Sequence, residues 1–112
     1  MIEMKRIERL ASRIADDFSP ERIILFGSYA EGTPTEDSDV DLFIEMRFRG
    51  KSVYKALEIR EKVRPRFAVD FIVRTPEEVK KRVAMNDWFL RDIVEKGKTL
   101  YEAPDGRMGQ QS

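Results

Sequence analysis

The sequence predicts an α/β domain: a small mixed β-sheet with helices packed on one face of it. Three observations point there. Short runs rich in β-branched and aromatic residues recur at 22–27, 39–46 and 67–73. Around them lie longer segments with apolar residues at helical spacing. Strands alternating with helices in one short chain are the pattern of α/β folds.

The elements follow in order. Residues 2–17 read as an amphipathic helix, with Ile7, Leu10, Ala11, Ile14 and, just beyond, Phe18 at helical spacing, and Ser19-Pro20 breaks it. RIILFG at 22–27 reads as a buried strand, closed by Gly27-Ser28, with a short helix over 28–31 and a loop at Gly32-Thr33-Pro34. DVDLFIEM at 39–46 is a second strand and 47–51 a basic loop. Residues 52–63 form a helix with Val53, Ala56, Leu57 and Val63 on its apolar side. FAVDFIV at 67–73 is a third strand. Thr75-Pro76-Glu77-Glu78 is a helix start, with Thr75 as N-cap, Pro76 at the first position and Glu78 closing a capping box. That helix reaches Ala84; Asn86-Asp87 interrupts the pattern, and 87–96 is helical again until Gly97. One domain over 1–102 and a loose polar tail over 103–112 are expected.

Composition narrows the chemistry. A length of 112 residues suits a single domain. Twenty-one basic residues balance 21 acidic ones, so no general nucleic-acid or membrane binding is expected, a local patch aside. There is no cysteine, which excludes disulfides and thiolate catalysis and fits a reducing cytoplasm. There is no histidine, so any metal must be held by oxygen: magnesium, manganese or calcium. No apolar run approaches the roughly 18 residues of a membrane span, and the N-terminus does not read as a signal peptide.

Three pieces carry chemistry. Gly27-Ser28 ends an apolar strand and enters a helix; glycine lets a phosphate approach the backbone, and free N–H groups and a hydroxyl suit an anion. Alone it is most often a turn. Asp39 and Asp41 flank Val40, and in a strand residues two apart share a face. Two carboxylates side by side repel unless a cation bridges them, although a lone Asp-x-Asp is more often solvated. Asp70 stands inside the apolar run 67–73, where a carboxylate is costly unless paired or at an open face.

Together they are far more specific. GSYAEGTPTEDSDVDLFIE at 27–45, with VDFIV at 69–73, resembles the nucleotidyltransferase superfamily that includes DNA polymerase beta. Within it, the chain is similar to the minimal nucleotidyltransferases of prokaryotes, as is NDWFLRDIVEKGKTLYE at 86–102. The resemblance implies the nucleotidyltransferase fold and transfer of a nucleoside monophosphate from a triphosphate, ATP first among them, with loss of pyrophosphate. It implies that Gly27 and Ser28 bind the β- and γ-phosphates. It further implies that Asp39, Asp41 and Asp70 are catalytic and hold two magnesium ions, with manganese as an alternative. Asp70 can also take the acceptor's proton.

Larger relatives bind the acceptor with an additional domain, which 112 residues leave no room for. The resemblance therefore implies a partner chain, a helical HEPN-type ribonuclease toxin, with this chain as the antitoxin that adds AMP to it. Masking without catalysis and transfer to a small molecule are the alternatives; self-association is open. Glu36, Asp37, Arg47, Arg49 and Lys51 read as solvated loop charges, Tyr29 as packing, and Trp88, Phe89 and Ile93 as core or interface.

Overall fold

The computed structural model describes residues 1–104. Its elements run α1 (Met4–Phe18), β1 (Arg22–Phe26), α2 (Ser28–Glu31), β2 (Val40–Glu45), α3 (Ser52–Val63), β3 (Val69–Arg74), α4 (Pro76–Ala84), α5 (Trp88–Lys96) and β4 (Lys98–Glu102). The strands form one sheet in the order β3-β2-β1-β4. β1 runs antiparallel to β2 and β4, while β2 and β3 are parallel. The sheet is therefore mixed, as expected, and α3 is the crossover that parallel neighbours require.

The helices lie on both faces, which corrects the one-sided packing. The alternation of side chains along β1 and β2 decides it. Ile23, Leu25, Val40, Leu42 and Ile44 point to one face and meet Ile7, Leu10, Ala11 and Ile14 of α1 with Ile59 and Val63 of α3. Ile24 and Phe43 point to the other face and meet Val79 of α4 with Leu90 and Ile93 of α5. This second cluster is small and leaves part of that face uncovered.

Local signals explain most boundaries. The capping box is formed: Thr75 Oγ1 accepts from the Glu78 N–H at 3.1 Å, and Glu78 Oε1 accepts from the Thr75 N–H at 3.0 Å. Asp87 caps α5 by accepting from the Leu90 N–H at 3.1 Å. Asn86, at φ 63°, makes the left-handed corner between α4 and α5. Gly97 ends α5 for a different reason from the usual left-handed cap. Its backbone is extended, and an added Cβ would strike the Ile24 side chain and the Ile93 carbonyl.

Two expectations need correction. α3 buries Ile59 and Val63, whereas Val53 and Leu57 are exposed. The core stripe follows 56, 59 and 63, and Val53, Tyr54 and Leu57 lie to its side. Residues 98–102 form the edge strand β4, which the sequence reading leaves unassigned. Ala103 is still buried, and its N–H donates to the Glu21 carbonyl at 2.8 Å. The rest of the expected tail falls, past Pro104, outside the described residues.

Candidate active site

β1 ends at Phe26 because Gly27 turns the chain at φ 74°, a conformation in which a side chain is strained. An added Cβ would also meet Asp41 Oδ2, so the Asp41 carboxylate would have to swing out of its place. Gly27 and Asp41 are thus in direct apposition, as the register pairing of Phe26 with Asp41 demands. α2 starts at Ser28, with Gly27 as its N-cap and Gly32 closing it at φ 78°.

Asp39 immediately precedes β2, and Asp41 is the second residue of that strand. Val40, Leu42 and Ile44 are fully buried, so the two carboxylates take the opposite face, as strand periodicity predicts. Asp70 is the second residue of β3 and pairs in register with Asp41. Neighbouring strands stand about 4.8 Å apart, so the two carboxylates rise side by side. Asp70 and Asp39 are exposed, Asp41 half-buried. The anomaly of a carboxylate within β3 is resolved by its place at the open end of the face.

The electrostatics report this convergence. The Asp41 carboxyl is held above its ordinary range, first by burial, then by the charge of Asp70 and then by that of Asp39. Among the described residues the acidic groups are not drawn into a ready-made ligand cage. The donor set nevertheless fits a hard divalent cation: carboxylate oxygens alone, in a chain without histidine or cysteine, whose mutual repulsion a cation would relieve.

Beside Gly27 opens a cavity of about 410 Å³, walled by Phe26, Phe89 and Ile93 and lined also by Glu31, Asp92 and Lys96. Phe89 meets Phe26 edge-on at 5.7 Å. The sequence reading treats Phe89 as core or interface and gives Lys96 no role; only the fold brings α5 against Gly27. Trp88 is exposed and Ile93 buried. Tyr29 is buried, and its hydroxyl accepts from the Ile2 N–H at 3.0 Å, so it packs. Glu36 and Asp37 are exposed loop residues. Arg47 pairs with Glu77 at 2.9 Å and lies 4.0 Å from Glu21.

The model of the nucleotidyltransferase domain family matches residues 7–101. The chain belongs to this family. Among nucleotidyltransferase relatives, a candidate protein adenylyltransferase of Methanocaldococcus jannaschii is 31% identical over 106 residues, spanning 90% of this chain and all of the relative. A second candidate protein adenylyltransferase of that organism is 46% identical over 44 residues, 38% of this chain and 44% of the relative. Two solved structures share the fold. One is a candidate nucleotidyltransferase from Sulfolobus solfataricus, with a TM-score of 0.56 at 24% identity over 70% of this chain and 71% of that one. The other is a toxin–antitoxin crystallised with AMP-PNP, with a TM-score of 0.51 at 18% identity over 98% of this chain and 89% of that one.

Proposed function

We propose that this nucleotidyltransferase moves AMP from ATP to a hydroxyl of a partner protein, and that the partner is a HEPN-type ribonuclease toxin which the transfer silences. The observation that carries the reading is the convergence of Asp39, Asp41 and Asp70 beside Gly27, felt in the raised Asp41 carboxyl. A full-length relative described as a candidate protein adenylyltransferase supports a protein acceptor. A toxin–antitoxin fold neighbour supports the partner class; its HEPN identity rests on the sequence resemblance alone.

In the proposed reaction the acceptor oxygen bonds to the α-phosphorus, the bond from that phosphorus to the bridging oxygen breaks, and pyrophosphate leaves. Gly27 and Ser28 hold the β- and γ-phosphates, and the bare Gly27 backbone allows their close approach. Asp70 takes the proton of the attacking hydroxyl. Asp39 and Asp41 would hold one magnesium ion and share a second with Asp70, and when bound these ions neutralise the charge of the triphosphate and of the attacking oxygen. The protein's task is placement and charge balance. The cavity between Phe26 and Phe89 offers apolar walls next to the phosphate site.

The test is the intact mass of the purified partner after incubation with this chain, ATP and magnesium. A gain of one or more AMP units, absent with Asp39→Ala, is expected. An unmodified partner in the presence of the wild-type chain would refute the proposal.

A further inference from the structure

Away from the three carboxylates, one surface is dominated by arginine. Arg6, Arg9 and Arg13 of α1 face Arg64 and Arg66 of the loop between α3 and β3, and the five line a shallow cavity of about 210 Å³. The Arg6 guanidinium lies over the Phe67 ring at 5.2 Å, and Arg64 Nε donates to the Glu61 carbonyl at 3.3 Å. Among the described residues no carboxylate comes within ion-pair distance of any of the five. A chain with no net charge therefore gathers five cations outside any close ion pair in one place. Their mutual repulsion is a cost that a bound polyanion removes.

We infer that this surface binds the phosphate backbone of a nucleic acid. The cations are all guanidinium groups, whose planar fork pairs with the oxygens of a phosphate or a carboxylate alike. Two features favour phosphate over an acidic protein. Arg6, Arg9 and Arg13 extend over about 10 Å of helix, a line of charge that suits successive phosphates better than one anion. The apolar lining consists of Leu10, Pro65 and Phe67, which are buried or half-buried, and Arg6 covers the Phe67 ring. The exposed apolar anchor expected at the centre of a protein–protein interface is missing from this lining. The inference does not depend on the proposed transfer reaction. Balanced overall charge argues against general nucleic-acid affinity, and the arginine cavity is the local exception.

The test is fluorescence anisotropy of a labelled single-stranded RNA titrated with the intact chain, without ATP or magnesium. Binding is expected at about 50 mM salt, with a log–log salt slope of about −2 to −3.5 for three to five phosphate contacts. Arg9→Glu/Arg13→Glu should weaken it about tenfold or more and flatten the slope by about 1.4. Circular dichroism checks the fold, and Arg9→Gln/Arg13→Gln serves if the reversal perturbs it. Asp39→Ala/Asp41→Ala should bind as the wild type does. Equal binding of duplex DNA would keep the inference and assign it to the backbone of either nucleic acid. No binding at low salt, unchanged affinity in the arginine variants, or displacement by polyglutamate as effective as by unlabelled RNA would overturn it.

Discussion

Asp41→Asn should stabilise the fold while ending the reaction. Asp41 and Asp70 are register partners on parallel strands about 4.8 Å apart, so two ionised carboxylates stand side by side. At this open end of the sheet the water-like limit applies, and the repulsion is about 0.9 kcal/mol; burial of Asp41 adds to it and solvent screening subtracts. A gain of about 1 kcal/mol raises Tm by about 4 °C in a domain of this size. The sign follows from the direction of the shift. The folded carboxyl lies above its ordinary value of 3.8. Its contribution to stability is therefore most favourable below 3.8 and is lost as pH rises through the raised folded value. Asparagine mimics the protonated state at every pH. Scanning calorimetry in chelator should show the variant melting above the wild type at neutral pH, with the gap closing below pH 3.8. Magnesium with ATP should then raise the wild-type Tm alone, because only the wild type keeps the full donor set. A variant less stable than the wild type at neutral pH, or a gap independent of pH, would refute the electrostatic reasoning.

Three more predictions rest on particular contacts. Gly27→Ala puts an alanine at φ 74° and ψ −158°, a region essentially reserved for glycine, costing about 1–3 kcal/mol, and drives a methyl group against Asp41; calorimetry should show a lower Tm and titration with ATP and magnesium a loss of binding. Gly97→Ala should lose about 1–3 kcal/mol in urea unfolding, because its Cβ would overlap Ile24 and the Ile93 carbonyl; an unchanged midpoint would mean that α5 shifts freely. Asp39→Asn/Asp41→Asn should fail to protect cells that express the proposed toxin, and full protection would establish masking by binding in place of transfer.

Sequence and fold inform each other unevenly here. β1 and β2 are legible because their cores are continuous apolar runs, and α4 because Thr75, Pro76 and Glu78 write its start. β4 is hidden because Lys98–Glu102 is a short edge strand with exposed residues at three of five positions; its pairing with β1 is a tertiary fact. The faces of the sheet are misjudged because α4 buries a single residue, Val79, too little to announce a core-facing helix. Within the site, the period of two places Asp39 and Asp41 together, and an acid in an apolar strand marks Asp70. That Asp70 stands beside Asp41 depends on strand order and register, which no local pattern carries. The nearness of α5 to Gly27, and the gathering of arginines from α1 and the loop before β3, likewise come only from folding.

The most direct test of nucleotidyl transfer at this site uses ATP labelled separately at the α- and γ-phosphates, with the purified partner as acceptor. The α-label is predicted to enter the partner and the γ-label to leave in pyrophosphate, both only when Asp39, Asp41 and Asp70 are intact. A γ-label in the partner, or an α-label that still enters it with Asp70→Asn at the wild-type rate, would contradict the account.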